Sequence, residues 1–285
     1  MPGRSGALIL ALAFALPADA AELVGSWRWD SEVEDHGGYS GIDLSEDGRE
    51  GTVISDRGRI ARIGLSRGPD GQIDGVSASL PTPLALYEGT GKLDSEGLAV
   101  SPDGTIWISL EGGRQGLVRY NTPDGDPISF PTPEEVDVFP NNRRLEGLAI
   151  ASDGTLWAVP ETNSGDGFRV FVFEDENWRP GPLLPAGNGF VPVGLDFDDE
   201  GRLYLLERNL RSVFGFSSRV RRFTLAGRQI RDEDVLLTSR PGQHDNLEGL
   251  AVWRDATGDL RLTMISDDNF FALQKTEIVE YRLAD

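Results

Sequence analysis

Three glutamates, Glu96, Glu146 and Glu248, each open the same four-residue phrase, EGLA. A carboxylate repeated at one offset from a glycine suits cation binding, because separate segments can each present oxygen to a single ion. In the related stretches YSGIDLSEDG and PVGLDFDDEG, Ser40 and Val193 hold that place. A second set of acids, Asp56, Glu111, Glu161, Glu207 and Asp267, follows the repeat glycine by 13 to 18 residues. Arg57, Arg144 and Arg208 lie in the same loops, so two arrangements satisfy the acids. Either Glu96, Glu146 and Glu248 hold a calcium ion, or they pair with these arginines. With two histidines and no cysteine, zinc is disfavoured. His36 and His244 each stand five residues before their repeat glycine, and histidine is the side chain best placed to move a proton near neutral pH. His36, His244, Asp56 and Arg57 therefore form the candidate catalytic set.

These residues need a scaffold that brings distant segments to one place. The repeat glycines, Gly41, Gly97, Gly147, Gly194 and Gly249, are 47 to 56 residues apart, and the span that wraps from Gly249 through the termini to Gly41 is of similar length. Even spacing that closes on itself implies a ring of repeats. Within the second unit, EGLAVS, TIWISLE, GLVRYN and DPISFPT read as four strands joined by Pro-Asp-Gly turns and a loop. The expectation is an all-β chain forming a single β-propeller of five blades, with six as the alternative. The N-terminal ELVGSWRWD and the C-terminal TEIVEYRLA should pair in one blade and close the ring. The first strand of each blade would run along the axis and the second would return. Both sets of acids then meet at one mouth of the channel.

Residues 1–21 read as an export signal: Arg4, then the apolar run ALILALAFAL, then the small residues PADAA. The propeller is assigned to residues 22–285, and the periplasm or the exterior is the expected location. No later stretch is long enough to span a membrane. A formal net charge of -20 argues against nucleic acid, whose phosphates call for a basic face. The expected ligand is a small anionic or ester substrate, and the expected state is a monomer.

At YSGIDLSEDGREGTVISDRGRIARIGL (39 to 65), and at the EGLA phrases, the chain resembles the esterase-like activity of phytase family, exported bacterial β-propellers. SG at 40 and 41, SDRG at 55 to 58 and EGLA at 96, 146 and 248 carry the resemblance, which covers nearly all of residues 22–285. It implies hydrolysis of an ester or phosphoester. EGLA followed by DGTIW is also similar to calcium-dependent gluconolactonase and strictosidine-synthase-like propellers, in which a glutamate at the channel mouth binds the metal. Ser40 and Val193 depart from that pattern and leave the ring asymmetric. GxSxG occurs once, as GLSRG at 64 to 68, inside a strand-like run with no helix pattern after it and so without the strand-to-helix turn of a nucleophile elbow; metal-activated water is the expected hydrolytic route. The alternative is a non-enzymatic binding propeller with a structural calcium.

Overall fold

The structure is a computed structural model that describes residues 20–85, 93–111, 115–140, 143–210 and 215–283; most of the proposed export signal, residues 1–19, lies outside them. The chain opens with β1 (Ala21–Arg28) and then lays down the first blade as β2 (Tyr39–Leu44), β3 (Glu50–Ser55), β4 (Arg59–Arg67) and β5 (Ile73–Ala78), with a short β6 (Thr82–Pro83) beside β4. Blade two is β7 (Ser95–Val100), β8 (Ile106–Leu110), β9 (Gln115–Tyr120) and β10 (Ile128–Pro131). Blade three is β11 (Leu145–Ile150), β12 (Leu156–Pro160), β13 (Gly167–Glu174) and β14 (Asn177–Pro185). Blade four is β15 (Val191–Phe197), β16 (Leu203–Leu210), β17 (Phe216–Ala226) and β18 (Gln229–Thr238). Blade five is β19 (Asn246–Arg254), β20 (Leu260–Asp267) and β21 (Glu277–Leu283), completed by β1 from the other end of the chain.

The protein is thus an all-β, five-bladed propeller, and no helix occurs among the described residues. None there could cross a membrane. Closure takes the expected form, with Ala21 opposite Leu283 and Arg28 opposite Glu277 in antiparallel register.

Local chemistry explains the repetition. The hairpin between the first two strands of every blade ends on a glycine with positive φ, namely Gly48, Gly104, Gly154, Gly201 and Gly258. Each of these donates its N–H to a carbonyl three residues back, a turn that needs the left-handed backbone glycine adopts without strain. The apolar residues then pack between blades. One cluster joins Trp157, Phe168 and Val170 of blade three to Leu195, Leu205 and Phe223 of blade four. The other four clusters bridge the remaining blade pairs in the same way. At roughly 1.5–3 kcal/mol per fully buried large apolar side chain, these interfaces hold the ring.

The innermost strands β2, β7, β11, β15 and β19 each lie beside the next, with β19 beside β2. Their repeat glycines allow this approach. A Cβ on Gly97 would stand 2.3 Å from the Glu146 carbonyl oxygen, and one on Gly194 would stand 2.6 Å from the Glu248 carbonyl oxygen. At two blade junctions a carboxyl group also satisfies an edge N–H: Val100 donates to Asp43 Oδ2 at 2.9 Å, and Val252 donates to Asp196 Oδ2 at 2.6 Å.

Candidate active site at the acidic mouth

The inner hairpins of all five blades carry the same irregularity. Their pairing register slips between Tyr39 and Gly41, Ser95 and Leu98, Leu145 and Gly147, Pro192 and Gly194, and Leu247 and Gly249. The residue before the repeat glycine therefore falls in a β-bulge every time, and a bulge re-aims its side chain. In this way Ser40, Glu96, Glu146, Val193 and Glu248 come to one end of the axis. Between the inner strands only about 10 Å3 of space remains, room for no more than a water. The channel itself has no room for a substrate.

The second set of acids reaches the same end through strand pairing. Asp56 N–H donates to the Gly38 carbonyl at 2.9 Å, Glu111 N–H to Asp94 at 2.9 Å and Glu161 N–H to Arg144 at 3.1 Å. In blade five Asp267 pairs with Asn246. The equivalent residue in blade four is Arg208, which pairs with Val191. Glu207, placed in this ring on sequence spacing, lies one residue away, and a one-residue step along a strand turns the side chain to the other face. It is buried inside blade four, bonded to Arg219 at 2.6 and 3.0 Å and to Arg221 at 2.9 and 2.7 Å.

Arg208 dominates the electrostatics of the mouth. Its Nη1 donates to Glu248 Oε1 and, at 3.1 Å, to Asn246 Oδ1, while Nη2 reaches Glu161 Oε1 at 3.4 Å. Burial alone would lower its pKa; Glu248, Glu146, Glu161 and Glu96 outweigh that and raise it. The acids respond to burial and to one another. Burial first, then Glu248 and Glu111, hold Glu96 well above the ordinary carboxylate range. Burial, Glu96 and Glu111 do the same to Glu146. Glu248 is raised by burial against the opposing pull of Arg208.

Asp267, next to Asp56 across the junction of blades five and one, is raised to about 8 by burial, with Glu248 and Asp56 adding to the effect. Asp56 is raised only to about 6, because Arg57 partly offsets its burial. Arg57 is exposed, and its guanidinium lies 3.3 Å from the centre of the Phe270 ring. Asp268 Oδ1 accepts the Gly38 N–H at 2.9 Å and ties this corner together.

The mouth thus unites Asp56, Arg57, Glu96, Glu146 and Glu248. It does not unite them with the histidines. His36 Nε2 donates to the Trp29 carbonyl at 2.8 Å, so Nδ1 is the acceptor 3.1 Å from the Tyr39 hydroxyl. Trp29 stacks on Tyr39 with ring centres 5.0 Å apart. This trio borders a side cleft of about 350 Å3 with Trp27, Val33 and Leu80. His244 is buried, with Nε2 2.7 Å from the Tyr281 hydroxyl and Nδ1 4.0 Å from Glu277. Its pKa is lowered by burial, against the opposing effect of Glu277. Both rings bond to groups outside the mouth, and neither bonds to Asp56, Arg57 or Glu248 among the described residues. Sequence spacing did not single out Phe270 or Asn246; the pairing register of β19 with β20 was the signal needed.

As donors, these buried oxygens suit a hard cation. As arranged they do not form its cage, since Arg208 binds Glu248 and Glu161. Among the described residues no three His, Asp or Glu side chains are grouped to hold a metal ion.

The Phytase-like family, described as esterase-like activity of phytase, matches residues 34–270. A search of curated proteins finds no significant match. Among solved structures, the exo-β-1,3-galactanase 1,3Gal43A from Clostridium thermocellum superposes with a TM-score of 0.56 at 13% identity, covering 93% of this chain and 63% of that one. A protein of unknown function from Dyadobacter fermentans gives 0.51 at 11% identity over 92% and 87% of the two chains. A gluconolactonase from Xanthomonas campestris gives 0.49 at 17% identity over 87% and 74%. At these identities the solved structures speak to the fold alone.

Proposed function

The chain belongs to the Phytase-like family, and from that premise we propose that it hydrolyses a carboxylic ester, neutral or positively charged, at the acidic mouth of the propeller. The observation that carries this is the carboxyl pair Asp56 and Asp267 on adjacent blades, with pKa values set apart at about 6 and about 8. Neighbouring acids held at different pKa values can take opposite roles at one pH. At neutral pH Asp56 is mostly ionised and accepts a proton from water as the water oxygen adds to the ester carbonyl carbon. Arg57 faces the carbonyl oxygen as it gains negative charge. The carbon–oxygen bond to the alcohol then breaks, and Asp267 delivers its proton to the departing oxygen. Exchange of one proton with solvent restores both carboxyls. Phe270 beneath Arg57 supplies an apolar wall for the substrate.

Charge selects the ester class. The raised pKa values leave Glu96 and Glu146 short of full charge, so the repulsion that disfavours a doubly negative phosphate monoester comes chiefly from ionised Asp56. None of these steps depends on a bound metal. Export, read from residues 1–21, belongs to the same proposal. The test compares kcat/KM for p-nitrophenyl acetate, acetylcholine and p-nitrophenyl phosphate at low and high salt. The expected order puts both carboxylic esters ahead of the phosphate, with the choline ester losing its advantage as salt screens the mouth. Faster cleavage of the phosphate would overturn the assignment, and no cleavage of any ester would favour a binding role.

A further inference from the structure

Four of the five blades end their second strand at the mouth with an acid: Asp56, Glu111, Glu161 and Asp267. Blade four ends with Arg208. This substitution stands at the centre of the acid ring, bonded to Glu248 and Asn246 of β19 and to Glu161 at the end of β12, two other blades. A guanidinium cannot lose its proton in a protein and makes directed bonds to several oxygens at once. It therefore neutralises charge permanently, where a metal ion would do so only when supplied.

We propose that Arg208 is a built-in counterion occupying the place of a metal, and that the mouth becomes a divalent-cation site when a neutral or acidic side chain replaces it. Removing the guanidinium frees Glu161, Glu248 and the Asn246 side-chain oxygen, which can then turn toward a single ion together with Glu96 and Glu146, whose charges also act on Arg208. Four carboxylates, one amide oxygen and water meet the six to eight oxygens that calcium takes, at about 2.3–2.6 Å and with loose geometry. The inference stands apart from the ester assignment, since it concerns cation binding alone.

The experiment is calorimetric titration of chelator-stripped protein with calcium, paired with thermal melts with and without millimolar calcium. Wild type and Arg208→Lys should show no binding heat and no shift in Tm. Arg208→Gln and Arg208→Glu should melt lower without metal, bind calcium at least about tenfold more tightly than wild type, and regain several degrees of Tm through binding to the folded state. If Arg208→Glu folds only when refolded in calcium, that too supports the inference. Stoichiometric calcium binding by wild type would overturn it, whether or not the variants fold. Folded Arg208→Gln that ignores calcium would do so equally.

Discussion

Replacing Asp43 by asparagine should make the protein more stable at alkaline pH and leave it unchanged at acid pH. Asp43 lies two residues beyond the bulge glycine of β2, at the end of the axis away from the mouth. Its Oδ2 accepts the Val100 N–H, a bond that an asparagine carbonyl can keep. Burial raises its pKa from 3.8 to about 7, against lowering by that hydrogen bond and by Arg62. The sign follows from the raised value: the folded state holds the extra proton. Stability from this group is present below about pH 4 and is lost as pH climbs through about 7. The displacement corresponds to roughly 4 kcal/mol at about 1.4 kcal/mol per tenfold change in acidity. Asp43 is only partly buried, and solvent screening reduces this to about 2 kcal/mol. Asparagine also relieves Asp196, which sits at about 8 through burial and the Asp43 charge. Thermal melts at about pH 4 and about pH 9 should show nearly equal Tm at the first. At the second, the variant should be higher by about 4–8 °C for a domain of this size. Parallel pH curves for the two proteins would refute the argument.

Gly97→Ala forces a Cβ to within 2.3 Å of a backbone oxygen, so urea unfolding should show a loss of about 3 kcal/mol. Gly104→Ala meets no neighbour but keeps a φ of +88°, so its loss should be only about 1 kcal/mol; equal losses would contradict the close-approach account. His36→Gln and His244→Gln should each keep ester turnover within about twofold, far from the hundredfold drop that loss of a proton-transfer group brings. His244→Gln should nonetheless lower stability by about 1–2 kcal/mol through its broken bond to Tyr281, read from the same unfolding curves.

The ring was legible in sequence because its causes are local. A glycine marks each close approach of inner strands, a second glycine marks each hairpin, and both recur at blade spacing. Closure was legible because β1 is a strand with no repeat of its own and β21 is the third strand of a blade with no fourth strand after it. Glu96, Glu146 and Glu248 were found for the same reason, since the bulge always falls on the residue just before the glycine. Pairing register was not legible. Spacing alone could not tell Glu207 from Arg208, and that single step separates a buried internal pair from the cation at the mouth. The matched offsets of His36 and His244 were equally silent about their partners, because Trp29, Tyr39, Tyr281 and Glu277 reach them by packing rather than by repeat position.

The carboxyl pair is tested most directly by the pH dependence of kcat/KM for an ethyl ester, whose alcohol needs a proton to leave. Wild type should give a bell with limbs near about 6 and about 8, the values at which Asp56 ionises and Asp267 loses its proton. Asp56→Asn should remove the acid limb and Asp267→Asn the alkaline limb, each lowering the maximum by roughly 100-fold to 10,000-fold. A bell that keeps both limbs in both variants would contradict the account.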